Sequence, residues 1–92
     1  MTNWEVEYTA KSKIFLKQLP SNTSSRIIDK IEFYNSTGTP LKYAKKLKKP
    51  KLGTYRFRIG SYRAIFDVDE KGNIKILMIL LISHRKDIYK NI

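Results

Sequence analysis

The sequence predicts an α+β fold: a small, mainly antiparallel sheet with an N-terminal two-helix pair on one face. The element order is β-α-α-β-β-β plus a short C-terminal helix or tail. Three patterns carry this reading. Side chains alternate with period two over Asn3–Tyr8 and over Thr54–Val68. Apolar residues recur at helical spacing between those two stretches. The apolar run Ile76–Ile82 is bounded by turns and reads as a buried strand. Ninety-two residues with 41% hydrophobic content support one modest core, hence one domain over residues 1–92.

Trp4, Val6 and Tyr8 alternate with Glu5 and Glu7, as in a strand with one wet face. Thr9 is placed to cap a helix over Ala10–Leu19, with Ile14, Phe15 and Leu19 apolar and Lys11, Lys13 and Lys17 toward water. Pro20 ends it. A second helix is expected over roughly Thr23–Asn35, where Ile27, Ile28, Ile31 and Tyr34 form one stripe, and the short connection makes the two helices an antiparallel pair. Ser36–Pro40 is a loop. Lys42–Lys51 shows no sustained period, and Pro50 argues against a regular element through it; Leu47, with Leu41 and Leu52, is the candidate tether.

Thr54–Val68 reads as a tight hairpin about Gly60-Ser61, a turn whose first position needs a positive φ. Pairing Ile59 with Tyr62 sets Phe57 opposite Ala64 and Tyr55 opposite Phe66 on the apolar face. The other face then carries Arg58 opposite Arg63 and Arg56 opposite Ile65. Like charges directly opposed on a sheet are unfavourable. Either an anion or carboxylate sits between the guanidinium groups, or they splay into solvent. Arginine suits bidentate contact with phosphate or carboxylate. A second turn is expected at Asp69–Asn73. The strand Ile74–Ser83 follows, with Leu77, Leu81, Ser83 and Arg85 on one face and His84 on the other. The basic residues leave the second sheet face concave and positive.

The charge is one-sided. The chain carries +11, with no acidic residue between Glu32 and Asp67 and nine basic ones from Lys42 to Arg63. Such a field attracts a polyanion, nucleic acid first. An acidic protein partner would also neutralise it. Without cysteine there is no disulfide framework and no thiolate metal site, and no metal or cofactor is expected. No signal peptide is visible, and the longest apolar run is too short to span a bilayer, so a cytoplasmic, membrane-free setting is expected.

The lysine-rich segment around Leu47, then YRFRIGSYRAIFDVDEKG, a long apolar strand and HRKDIY together resemble the RelE/ParE superfamily of toxins, the RelE branch in particular. The match in element order covers nearly the whole chain; GSYRAIF and HRKDIY are its specific parts. The resemblance implies a ribosome-dependent endoribonuclease that cuts mRNA in the A site. It also implies a monomeric toxin unit held inactive by a cognate antitoxin. Arg63 matches the family arginine on the scissile phosphate. Arg85 matches the arginine assigned to the transition state and leaving oxygen, and Tyr89 a tyrosine near the attacked nucleotide. Arg56 and Arg58 match basic positions that are lysines in the best-known branch.

That departure matters, because arginine effectively cannot lose its proton. If the matching lysine serves as base elsewhere, Arg58 does not take over that role. His84, the only histidine, is then the candidate proton carrier; its alternative is a packed strand-end residue. Tyr89 either orients the 2′-OH, stacks on a base, or plugs the sheet end. The candidate catalytic set is therefore Arg58, Arg63, His84, Arg85 and Tyr89. Lys46, Lys48, Lys49, Lys51 and Arg56 are the candidate RNA and ribosome contacts, with solvated loop as the alternative for the lysines. Two other readings use the same fold: a ParE-like poison of DNA gyrase, and a catalytically silent RNA-binding member.

Overall fold

The structure, a computed structural model, describes residues 3–48 and 53–88. The sites expected at Lys49, Lys51 and Tyr89, and the tether expected at Leu52, lie outside the described residues. The order is β1 (Asn3–Tyr8), α1 (Ala10–Gln18), α2 (Ser21–Ser36), a 3₁₀ turn (Pro40–Tyr43), β2 (Ala44–Lys46), β3 (Tyr55–Ile59), β4 (Tyr62–Lys71) and β5 (Ile74–His84). One five-stranded sheet runs β1-β5-β4-β3-β2. β1 lies parallel to β5, and every other neighbouring pair is antiparallel. This is the α+β class expected, with one strand more than the alternation revealed.

Thr9 caps α1 through its hydroxyl, which accepts from the Ser12 N–H at 3.3 Å. The same hydroxyl donates to Leu80 O at 3.0 Å, fixing the helix start against β5. The buried side of α1 differs from the expectation. Ser12 and Leu16 are buried, Phe15 and Leu19 pack beside them, and Ile14 is 57% exposed. Spacing explains the correction: 12, 15, 16 and 19 share a face, and residue 14 stands two positions round from Leu16. On α2, Ile27, Ile31 and Tyr34 are buried as expected. They meet Phe57, Ala64, Phe66, Leu77, Ile79 and Ile82 of the sheet in the main core.

The lysine-rich segment does contain a regular element. Ala44, Lys45 and Lys46 pair with Phe57, Arg56 and Tyr55 as the sheet's edge strand. Three residues are too few to show a period, which is why the segment reads as irregular. Leu41 is exposed and is no tether. Leu47 packs on the face away from the helices, against a small cluster of Ile65, Leu81 and Ile88. That face is thus part apolar and not wholly a basic surface. Gly53 approaches it closely: a Cβ there would fall 2.6 Å from Ile65 Cγ2. The Asp67 carboxylate pins the same loop, accepting from Thr54 N at 2.7 Å and Thr54 Oγ1 at 2.8 Å.

Two corrections concern β4 and β5. Asp69–Lys71 stay in strand, and the second turn is Gly72-Asn73 alone. In β5 the register slips between Ile65/Phe66, whose partners are Leu81 and Ile79. Leu80 is the extra residue of a β-bulge. It resets the alternation, so Leu77 and Ile79 face the helices whereas Leu81 and Ser83 face away. The expected grouping of Leu77 with Leu81 and Ser83 fails for that reason.

Candidate RNA-binding and catalytic face

The hairpin has the register expected in every pair: Tyr55↔Phe66, Arg56↔Ile65, Phe57↔Ala64, Arg58↔Arg63 and Ile59↔Tyr62. Gly60 has φ +58°, and Ser61 has a negative φ, as a two-residue turn opening with glycine requires. β4 continues the rows into β5, where Ser83 is the partner of Arg63 and Leu81 that of Ile65. The face away from the helices therefore carries one row of Arg58, Arg63 and Ser83. A second row holds Lys45, Arg56, Ile65 and Leu81.

Arg58 is exposed, but Arg63 is only 8% exposed. Its Nη1 donates to Gly60 O and to Tyr62 O, each at 2.9 Å. The turn carbonyls thus offset part of the positive charge, which relieves the opposition of two guanidinium groups and holds one in a fixed attitude. Arg85 leaves β5 beside the same turn: its backbone N–H donates to Ser61 O at 2.7 Å. Its side chain is exposed. The backbones of Arg58, Arg63 and Arg85 thus lie beside one turn, and the Arg63 side chain is bonded to it.

His84 is placed differently. It is the partner of Tyr62, and the two rings meet edge-on at 5.5 Å, with Phe15 of α1 edge-on to Tyr62 at 6.3 Å. His84 therefore lies on the helix side, at the sheet end, one residue from Ser83 and one from Arg85. Its Nδ1 accepts from the Lys86 N–H at 3.2 Å, so Nε2 carries the proton in the neutral ring.

Among the lysines, alternation through β2 decides which one shares the arginine face. Lys45 pairs with Arg56, whereas Lys46 pairs with Tyr55, which packs on the core. Lys48 is exposed beyond the strand. Sequence reasoning missed Lys45 and Ser83. Pairing across the sheet identifies both, once β2 and the bulge are known. Among the described residues no group of His, Cys, Asp or Glu is arranged to hold a metal ion. No described helix is long and apolar enough to cross a membrane.

The fold is a two-helix layer on a five-stranded sheet whose far face is part basic and part apolar, and the comparisons place it in the RelE/ParE superfamily. The family model described as the ParE toxin of type II toxin-antitoxin systems, parDE, matches residues 6–89. The chain belongs to that family and is a toxin of the type II toxin-antitoxin class. It is 28% identical over 87 residues to Toxin RelG of Mycobacterium tuberculosis, spanning 95% of this chain and 97% of that protein. The RelBE2 toxin-antitoxin complex of Mycobacterium tuberculosis has the same fold, with a TM-score of 0.69 at 24% identity, covering 90% of this chain and 99% of the other. The RelB-RelE antitoxin-toxin complex of Methanococcus jannaschii superposes with a TM-score of 0.59 at 26% identity, covering 91% and 95%.

Proposed function

We propose that this toxin is a ribosome-dependent endoribonuclease that cuts mRNA in the A site and so stops translation. The observation that carries the reading is the Arg58–Arg63–Ser83 row with Arg85 tied to the same turn. In the reaction the ribose 2′-OH attacks the adjacent phosphorus in line. The 2′ proton leaves to a base, and the 5′ oxygen departs with a proton from an acid. The products are a 2′,3′-cyclic phosphate and a free 5′-OH. No oxidant, reductant or metal enters that balance.

The transition state concentrates negative charge on the equatorial oxygens, and donors already fixed there stabilise it most. Arg63, immobilised by the turn, binds the phosphate, and Arg58 and Arg85 close around it. His84, one residue from Ser83 at the sheet end but on the helix side, is the proposed proton carrier, reached round that end. Tyr89 stacks on or orients the nucleotide. Arg56 and Lys45, with Lys48, Lys49 and Lys51, hold the flanking backbone, and Lys46, on the core side of β2, contributes less. The chain works in the cytoplasm as a single toxin domain, and a cognate antitoxin covers it between uses, as the relatives' complexes suggest. Translation in vitro followed by primer extension tests this. Cuts within translated codons are expected, and the Arg85→Ala variant should not produce them.

The ParE description of the matching family favours a second reading, poisoning of DNA gyrase. It requires a DNA-damage response on expression with no mRNA cuts.

A further inference from the structure

A column of aromatic rings runs from the core to the surface. Tyr55 stacks on Phe66 at 5.6 Å, Phe66 on Phe57 at 4.3 Å, Phe57 meets Tyr34 at 4.8 Å, and Tyr34 stacks on Tyr43 at 4.7 Å and 19°. Tyr43 ends the column with 44% of its surface open, and Phe33 stands across it at 6.3 Å, 52% exposed. Two rings are thus held by the core yet half uncovered. What they offer is a rigid ring surface.

The surroundings are cationic. Lys30 Nζ lies 5.4 Å from the ring centroids of Phe33 and Tyr34. Lys42 precedes Tyr43, and Lys45 follows it in β2. Asp29 and Glu32 lie back along α2, and the chain has no further acidic residue until Asp67. Aromatic rings that take a base face, beside cations that take the backbone, are the means by which proteins hold single-stranded nucleic acid.

We infer that Tyr43, with Phe33 beside it, is a stacking platform for one base of single-stranded RNA, whose backbone runs over Lys45 and Arg56 toward Arg58 and Arg63. Tyr43, stacked on the core residue Tyr34, stands on the helix side of the β2 edge, whereas the arginine row lies on the far face, so the strand passes round that edge at Lys45. Neighbouring strands lie roughly 4.8 Å apart, so β4 is about 10 Å further in, and the path takes several nucleotides. The inference rests on the proposed RNA-cutting function and adds a subsite to it.

The test is binding of a short oligoadenylate carrying 2-aminopurine, read by quenching of that base. Tyr43→Leu is expected to weaken binding by about fivefold to a hundredfold, the range for losing one stacked base. Tyr43→Trp should retain binding, and RNA should quench its indole beyond any change in the unaltered chain, whose one tryptophan is Trp4. Melting temperatures verify folding, and the indole readout does not depend on the leucine variant being stable. Unchanged affinity in Tyr43→Leu without indole quenching overturns the platform, while weaker binding by Arg58→Ala in the same assay leaves the arginine face standing. No binding by the unaltered chain overturns the platform, while the cleavage reading stands or falls separately on the translation assay, which supplies the ribosome. Loss of antitoxin binding but not of RNA binding in Tyr43→Leu assigns the rings to a protein partner and overturns the inference.

Discussion

The backbone N–H of Arg85 is bonded to the carbonyl of Ser61 at 2.7 Å, although 24 positions separate them in the chain. Through this bond the end of β5 hangs on the β3–β4 turn. The side chain of Arg63 hangs on the same turn through Gly60 O. A small hairpin therefore determines where two of the proposed catalytic arginines stand.

Arg63→Ala and Arg85→Ala should each slow mRNA cleavage by about a hundredfold to a thousandfold, the usual loss for one preorganised donor. Their stabilities should differ. Arg63 is buried and bonded twice, so its removal should cost about 1–3 kcal/mol. The exposed Arg85 should cost nearly nothing through its side chain. Primer extension and urea melts measure the two effects separately.

Gly60→Ala should impair cleavage more than its cost in stability would suggest. Nothing lies within 4 Å of an added Cβ, but φ is +58°. The penalty is one of backbone conformation, about 1–3 kcal/mol. The protein can escape it by rotating the turn, which moves the carbonyls that hold Arg63 and Arg85. Equal fractional losses of stability and activity would contradict this.

Lys45→Gln should make RNA association less sensitive to salt, lowering the slope by about 0.7, the value for one phosphate contact on a single strand. Lys46→Gln should change it less, because Lys46 pairs with Tyr55 on the core side. Titrations at several salt concentrations compare the two.

Burial, aided by the nearby Glu32 charge, pushes the Tyr8 phenol up to about 12 from its usual 10.0. Its contribution is complete below pH 10, where the phenol is neutral in both states. Between pH 10 and about 12 the unfolded chain ionises while the folded one resists, so stability falls as pH rises. Tyr8→Phe should flatten that fall in melting curves taken between pH 9 and 11.5. At neutral pH it should be neutral or stabilising, since the buried Tyr8 hydroxyl has no hydrogen-bond partner among the described residues.

Much of the site was legible because a tight turn and one wet face fix a register. Glycine at position 60 and the alternation of Tyr55, Phe57 and Ile59 with Arg56 and Arg58 leave one pairing, and all five expected pairs are present. Helix α2 was legible through Ile27, Ile31 and Tyr34. Three features were not. β2 is three residues long, and its two lysines look alike on either face. The bulge at Leu80 sits in a strand apolar on both sides, where the sequence contains no phase to slip. On α1, Ile14 and Leu16 are equally apolar, and the choice between them rests on the face that Ser12, Phe15 and Leu19 share with Leu16, which the buried serine obscures.

The bulge has an evolutionary corollary. A one-residue insertion or deletion near Leu80 would rotate everything beyond it by half a turn of the strand, exchanging Ser83 for His84 among the arginines. A chain whose HR dipeptide aligns with this one in sequence can therefore present a hydroxyl or an imidazole at the same place beside the arginines. Comparing the chemistry of such chains requires counting residues back to the irregularity.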